Sequence, residues 1–493
     1  MRPLCFFQAW ICGSISAAVL AWSQPIPQVA SPPAPQPPPL VLVGATLIDV
    51  ANWGRSAHDL ADSIVIIDSG RVSAVGARTD IPIPKNARII DCTGKFLIPG
   101  LIDGFAGMNS QGQANAFLYM GVTTVVASAD ARRGHIDTTA NPKPHLYLLD
   151  SVGTTDDWSL LANQPEWAPK LREGARPIEL SPEDTARQLE DTAHLGTRVI
   201  WIGGDITAAN TQWIISHARQ LNLITYGEFI ATPYSVGIEA GVDSLLHMSR
   251  YELGVIPDEL QRPLVDDPTG SAAVTAYDYS EHLPPGDSHV RAYARFIATH
   301  HAALMPTFSL YFQQLPGHRN LWLEPAASLL DPAHMFDPPD RATGEMNYPL
   351  SPWTRRLPGA AQRWLEEGQR KKAEQAATRL WQINETLFNS SPHYLAASGA
   401  PVLGSFPGIS EHTELEMLVR LGLSPREALA AATNNYAMQF GWTELGLIAP
   451  GRRADILVLD SDPTTNVWNA RRITTLIMDG NVVDRDALLH LKK

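Results

Sequence analysis

The chain has 493 residues, 44% of them hydrophobic, and a formal net charge of −13 at pH 7. This length is sufficient for a large buried core. The acidic balance, without any basic cluster, argues against nucleic acid or an anionic membrane surface as a partner.

Residues 1–23 have the pattern of a secretory signal peptide, in which Arg2 precedes an apolar run. That run is shorter than the roughly 20 residues that a membrane-spanning helix needs. We therefore predict export to the periplasm or the extracellular space, with no membrane span after cleavage; the alternative is that the segment stays uncleaved as an N-terminal anchor. Residues 24–39 are rich in proline and are predicted to be a linker. Cleavage would leave Cys92 as the one cysteine, so we expect no intrachain disulfide.

Short strand patterns occur near both ends of the remaining chain. In residues 40–98, apolar runs such as 63–67 alternate with turns that contain glycine. In residues 441–493, the runs 454–459 and 474–478 have the same character. We predict that these two end segments together build one small β-sandwich domain.

Strand and helix patterns alternate between the two end segments, which is typical of a parallel sheet. Candidate strands are at residues 101–106, 122–128, 145–150, 198–203, 223–229, 243–248, 302–311 and 401–406. The predicted fold class is therefore α/β, with a (β/α)8 TIM barrel over residues 99–440 beside the small β-sandwich domain. The insertion 312–360 is rich in proline and aromatic residues. It is predicted to be either a lid over the active face or a flap packed on the barrel wall.

Five motifs resemble the amidohydrolase superfamily, nearest to its imidazolonepropionase and Xaa-Pro dipeptidase-like branch. They are Asp91–Lys95 leading into Pro99–Asp103, Gly121–Val125, Glu239–His247, Leu421–Thr433 and Gly446–Asp455. They occur in the order of that family, and the resemblance covers nearly all of residues 40–493. It implies a hydrolase of C–N bonds in which one or two metal ions activate a bound water.

The resemblance also implies six ligand positions at the ends of the barrel strands. The family has two histidines on the first strand, a carboxylated lysine or a glutamate on the fourth, one histidine each on the fifth and sixth, and an aspartate on the eighth. In that order this chain has Phe105, Gly107, Trp201, Glu228, His247 and Phe406. Two ligands are fewer than the three protein groups of an ordinary catalytic zinc, so we expect no metal cofactor.

His247 and Glu228 are the candidate catalytic residues, as a proton-transferring imidazole and the carboxylate that orients it. The alternative is a buried pair without catalysis. The predicted pocket is lined by Phe105, Gly107, Trp201, Tyr226, Arg250, Ser405 and Phe406. We interpret Ser405 as structural, and we expect His412 and Glu414 to position the start of a helix.

Two functions are consistent with these residues. The first is an exported, non-catalytic or functionally diverged homologue that binds a small molecule, a peptide-like ligand or a partner, and a homo-oligomer is compatible with it. The alternative is an active hydrolase of amide, lactam or dipeptide C–N bonds that works through Glu228 and His247. Only this alternative predicts a divalent metal such as zinc. The fold alone does not decide between them.

Overall fold

The structure is a computed structural model of the chain. It describes residues 37–129, 133–152, 181–266, 271–284, 286–300, 302–315, 317–346, 359–389 and 393–490. The predicted signal peptide and nearly all of the predicted linker lie outside these residues. The elements given below belong to the unit that spans Pro38–Lys493.

Strands and helices alternate through most of the described chain. The strands are β1 (Leu40–Leu47), β2 (Leu60–Asp68), β3 (Arg71–Ala77), β4 (Arg88–Asp91), β5 (Phe96–Pro99), β6 (Leu101–Ala106), β7 (Val122–Ser128), β8 (His145–Ser151), β9 (Thr197–Ile202), β10 (Ile224–Gly227), β11 (Ser244–Leu246), β12 (Ala303–Met305), β13 (Ile456–Leu459), β14 (Ile473–Met478) and β15 (Asn481–Val483). The α-helices are α1 (Gln111–Tyr119), α2 (Pro182–His194), α3 (Ala208–Gln220), α4 (Tyr234–Glu239), α5 (Met248–Tyr251), α6 (Asp258–Gln261), α7 (Ser271–Glu281), α8 (Ser288–His300), α9 (Gly359–Phe388), α10 (Ile409–Leu421), α11 (Pro425–Ala431), α12 (Asn434–Phe440) and α13 (Arg485–Leu488). Within the described residues, no helix combines the length and the apolar character that crossing a bilayer requires.

Strands from both chain ends form one eight-stranded mixed sheet, in the order β15-β14-β13-β5-β1-β2-β3 with β4 beside β1. The antiparallel pair of β5 and β13 joins the two ends, with Leu97 opposite Val458. Val65, Leu97 and Ile456 are completely buried in the core of this sheet. The structure therefore confirms that both ends of the chain build one β-domain.

Seven parallel strands, β6 to β12, follow one another in chain order around a nearly closed barrel. They overlap the first seven candidate strands, so the predicted barrel is confirmed. Bulky apolar side chains from these strands fill the interior, which is a packed core rather than a channel. The buried residues of this interior include Ile102, Phe105, Val126, Tyr147, Leu149, Val199, Trp201, Tyr226, Leu246 and Met305.

Residues 393–398 hold the eighth barrel position. On one side, the backbone N–H of Leu304 in β12 donates to the carbonyl of His393 at 2.8 Å. On the other side, the backbone N–H of Gly104 in β6 donates to the carbonyl of Ala396 at 3.2 Å. This segment therefore bridges the last and the first strand of the barrel.

The prediction of the eighth strand at 401–406 is wrong. In the structure this stretch consists of turns, with one isolated bridge between Val402 and Phe336. The apolar run after Pro401 has the local pattern of a strand, whereas the alanines before Ser398 do not favour one. The position is decided by backbone pairing to strands that are distant in sequence.

Asp103, which is buried in the core, stabilises the placement of residues 393–398 between β12 and β6. Its carboxylate accepts hydrogen bonds from the backbone N–H of Ser398 at 2.9 Å and from the Ser398 hydroxyl at 2.5 Å. Burial raises the pKa of Asp103 to about 6, although the hydrogen bonds from Ser398 and Phe105 and the charge of Arg133 favour its ionised form. Because a buried carboxyl group without partners is costly, Asp103 stabilises the placement of Ser398.

The described part of the insertion 312–360 packs on the outside of the barrel. The carbonyl of His334 accepts a hydrogen bond from Nε2 of Gln113 in α1 at 3.0 Å. The indole of Trp322 meets the ring of Phe406 edge-on, with the ring centroids 4.7 Å apart. These contacts favour the interpretation of the insertion as a flap on the barrel wall.

Ser398→Ala removes the hydroxyl that donates to Asp103, so we expect the free energy of unfolding to fall by about 2 kcal/mol. Urea denaturation followed by circular dichroism measures this change. The control is Ser328→Ala, because the exposed Ser328 hydroxyl donates only to the carbonyl of Pro325. The control should stay within about 0.5 kcal/mol of the parent protein. Equal losses in the two variants would contradict the role of Ser398 in closing the barrel.

Candidate functional site

Glu228, His247, Arg250 and Thr307 lie together at the carboxyl ends of β10, β11 and β12. Glu228 Oε1 is 2.8 Å from Arg250 Nε, and Glu228 Oε2 is 3.9 Å from His247 Nε2. The Nδ1 atom of His247 is 2.7 Å from the Thr307 hydroxyl. Glu228 and His247 are both buried. The structure thus brings the two candidate catalytic residues and Arg250 to the end of the barrel where this fold carries its functional groups.

His247 and Thr307 have strained backbones, with φ angles of 61° and 52°. A residue other than glycine pays about 1–3 kcal/mol for such a conformation. The two strained residues are also the two partners of one buried hydrogen bond. Strain of this kind concentrates at binding and catalytic sites, so it marks the cluster as a functional candidate.

The ring of Phe105 lies inside the barrel next to this cluster. It meets the indole of Trp201 and the imidazole of His247 edge-on, with centroid distances of 5.6 Å and 5.3 Å. The guanidinium of Arg133 lies 4.4 Å from the centroid of the same ring, in a cation–π arrangement. Phe105 and Arg133 are both fully buried.

Arg133 covers the backbone at Gly107. A Cβ atom on Gly107 would lie only 2.7 Å from the Cβ of Arg133. The Nη2 atom of Arg133 donates to the carbonyl of Gly399 at 2.8 Å, which holds the side chain in this place. The sequence reasoning missed Arg133. The sequence did contain one sign of it. Gly107 stands where the resemblance implies a histidine, and the absence of a side chain there leaves room for the side chain of another residue.

The residues at these positions do not fit a binuclear metal centre. The rings of Phe105 and Trp201 offer no electron pair to a cation, and the side chain of Arg133 occupies the space beside them. A catalytic zinc needs three protein ligands, and the six implied positions supply only Glu228 and His247.

Trp201 Nε1 and the hydroxyl oxygen of Tyr226 are among the buried polar atoms of the barrel strands that have no hydrogen-bond partner in the described part of the chain. The two residues are register partners on β9 and β10. Burial raises the pKa of Tyr226 well above its ordinary value, so its hydroxyl keeps its proton. Because most buried donors in folded proteins are bonded, these two donors lack the partners that a packed core usually supplies.

Phe406 and Ser405 do not line this site, contrary to the sequence expectation. Phe406 packs against Trp322 in the outer core, because residues 401–406 are not the eighth strand. The hydroxyl of Ser405 donates to the carbonyl of Val402 at 2.7 Å. This contact within a turn agrees with the interpretation of Ser405 as structural.

Helix α10 buries three titratable residues near its start. Burial lowers the pKa of His412 to about 3, and its Nε2 bonds to the carbonyl of Met120 at 2.7 Å. Burial raises the pKa of Glu414 to about 8, although it accepts a hydrogen bond from the backbone N–H of Ser309 at 2.8 Å. Burial also raises the pKa of Glu411 well above its ordinary value. The contacts of His412 and Glu414 are internal to the fold and fit the expected positioning role.

A different group has the donor chemistry of a metal site, at the amino end of β8. His145, Asp455 and Asp479 each offer one ligand atom, and these atoms lie within 4.8 Å of one another. The expectation that the protein needs no metal is therefore not supported. The sequence reasoning missed this group because its members are far apart along the chain.

Glu414 should make the stability of the protein depend on pH. Its raised pKa means that its contribution is fully present below about pH 4.5 and is lost as the pH rises through about 8. Glu414→Gln should therefore flatten the fall in unfolding free energy between about pH 5 and pH 8, measured by denaturant melts. The control Glu367→Gln changes an exposed acid and should leave the profile as it is. An unchanged slope in Glu414→Gln would contradict this assignment.

Gly107→Ala should reduce the free energy of unfolding by about 1–3 kcal/mol, because the added methyl group collides with Arg133. The measurement is chemical denaturation followed by fluorescence. In the control Gly368→Ala, nothing lies within 4 Å of the new methyl group. A glycine-to-alanine change in a helix should raise stability by up to about 1 kcal/mol. If Gly107→Ala were as harmless as the control, Arg133 would not cover this position.

Comparison with known protein sequences agrees with the motifs. A family model described as Amidohydrolase family matches residues 407–483. An adenine deaminase 2 of Agrobacterium fabrum is 52% identical over 56 residues, which are 11% of this chain and 9% of that protein. An imidazolonepropionase of Deinococcus deserti is 41% identical over 80 residues, which are 14% of this chain and 20% of that protein. The chain thus spans no more than a fifth of the length of these two relatives.

Comparison with solved structures covers nearly the whole chain. A Xaa-Pro dipeptidase with methionine bound in its active site aligns with a TM-score of 0.58 and 15% identity, over 90% of this chain and 99% of that one. At this identity the likeness establishes the fold. The barrel, the terminal sheet and the match of residues 407–483 agree with one another and support the predicted resemblance to the amidohydrolase superfamily.

Proposed function

We propose that this protein binds a small, peptide-like ligand at the mouth of its amidohydrolase barrel, the end at which Glu228, His247 and Thr307 lie. We propose that it does not carry out two-metal hydrolysis. The observation that supports this function is the buried and strained cluster of Glu228, His247 and Thr307 next to the ring of Phe105. The cluster retains polar groups where the fold carries function. The neighbouring side chains cannot assemble a binuclear centre.

The groups around the mouth indicate the chemistry of the ligand. Arg250 exposes 33% of its side chain while it contacts Glu228, so its guanidinium can also meet a carboxylate from outside. A ligand that carries a carboxylate complements this guanidinium. The structural likeness to a Xaa-Pro dipeptidase supports a peptide-like ligand.

An active C–N hydrolase that works through Glu228 and His247 is the competing function. In such an acid–base pair, the carboxylate would orient the imidazole through a hydrogen bond. In this protein the distance between their closest atoms is 3.9 Å, and Glu228 makes its shorter contact, 2.8 Å, with Arg250. The ion pair draws the carboxylate away from the imidazole, which favours binding without turnover.

Export is part of the same proposal. The signal-peptide pattern of residues 1–23 and the proline-rich residues 24–39 support a protein that works in the periplasm or outside the cell. A binding protein that captures peptide-like solutes outside the cytoplasm is consistent with the acidic charge and with the lack of an intrachain disulfide in the predicted mature chain.

Binding without turnover can be tested with a panel of Xaa-Pro dipeptides, N-acyl amino acids and lactams. Each compound is added to metal-stripped and to zinc-supplemented protein, and thermal unfolding and product formation are both recorded. We expect at least one compound to stabilise the protein, by about 2.7 kcal/mol at a hundredfold excess over its Kd. We expect no hydrolysis product by mass spectrometry with either form of the protein.

Two variants locate the binding. His247→Ala should abolish the stabilisation, because it removes the imidazole from the cluster. His58→Ala is the control, since the His58 side chain is 94% exposed and belongs to the terminal β-domain. Hydrolysis that disappears in Glu228→Gln would overturn the proposal in favour of the hydrolase. Stabilisation that persists in His247→Ala would place the ligand elsewhere.

A further inference from the structure

We infer that His145, Asp455 and Asp479 form a binding site for a divalent cation, with a donor set suited to zinc. None of these residues takes part in the proposed function at the barrel mouth. His145 begins β8, Asp455 directly precedes β13, and Asp479 lies in the turn between β14 and β15. A bound cation would therefore tie a barrel strand to two parts of the terminal sheet.

The spacing of the donor atoms matches a tetrahedral zinc site. His145 Nε2 is 3.4 Å from Asp455 Oδ2 and 3.5 Å from Asp479 Oδ1. Two ligands of a tetrahedral zinc stand about 3.3 Å apart, because the zinc–nitrogen and zinc–oxygen distances are about 2.0–2.1 Å. Both observed distances exceed the usual hydrogen-bond range of about 2.7–3.2 Å. In the described part of the chain, His145 Nε2 is a buried atom with no hydrogen-bond partner.

Asp455 is oriented by groups that lie around the site. Its Oδ2 accepts a hydrogen bond from Arg453 Nε at 2.6 Å, and its Oδ1 accepts the backbone N–H of Asp479 at 2.9 Å. Arg453 also donates to the hydroxyl of Thr124 at 2.7 Å. Carboxylates that bind metals commonly have such outer partners, which fix their direction before the metal arrives.

The charges around the site can accept a cation. Two carboxylates and the guanidinium of Arg453 leave one net negative charge when His145 is neutral. Burial opposes ionisation of Asp455, but His145 and Arg453 hold the pKa of its carboxyl below the ordinary value. The side chain of Asp479 is 53% exposed and gives a cation access from solvent.

The test uses the full chain, treated with EDTA, desalted and titrated with zinc chloride at pH 7.5 in a calorimeter. Thermal unfolding is measured with and without zinc. We expect one zinc ion per chain and a higher unfolding temperature in its presence. Asp479→Asn and His145→Gln should each weaken zinc binding by about tenfold or more. Asp479→Asn changes a half-exposed side chain, so it tests the site even if His145→Gln fails to fold.

Two further variants separate this site from other sources of binding. Asp278→Asn removes the acid of an exposed pair with His282 and should leave zinc affinity unchanged. His247→Ala should also leave it unchanged. The inference is overturned if zinc neither binds nor stabilises the parent protein, or if Asp479→Asn binds as tightly as the parent. Loss of zinc in His247→Ala would place the metal at the barrel mouth and would contradict the proposed function as well.

Discussion

Asp103 lies in the core with no access to water, so its carboxyl group must find hydrogen-bond donors within the protein. Ser398 supplies two of them, and this requirement places residues 393–398 between β12 and β6. The barrel is thereby closed by a stretch that has no strand pattern of its own. The same closure brings the carbonyl of Gly399 within reach of Arg133, and so helps to determine what occupies the barrel mouth.

At the barrel mouth, positive charge is supplied by arginine side chains. Arg133 lies on the ring of Phe105, and Arg250 is paired with Glu228. A guanidinium can attract a carboxylate or a carbonyl oxygen as a metal ion does, but it carries no bound water whose pKa it could lower. The barrel mouth therefore has groups suited to recognition. This physical difference underlies the proposal of binding without two-metal hydrolysis.

The parts of the site that sequence reasoning anticipated are those that follow from neighbouring strands. Glu228 and His247 end adjacent parallel strands, so their proximity follows from the order of the barrel. Arg133 was missed because it follows β7 in a loop, and no local pattern indicates where a loop side chain folds back. His145, Asp455 and Asp479 were missed because their proximity depends on the packing of the terminal sheet against the amino end of β8.

Local sequence patterns determined the α/β class, seven of the barrel strands and the joint β-domain, because apolar periodicity and turn residues act over a few neighbouring positions. The motif from Pro99 to Asp103 indicated the superfamily, and the residues at the implied ligand positions argued against its usual metal centre. Only the tertiary structure decided the identity of the eighth strand position, the placement of Phe406 outside the pocket and the cover that Arg133 forms over Gly107. Those features depend on contacts between residues far apart in the chain, where packing space and the need to pair a buried carboxyl group outweigh local preference.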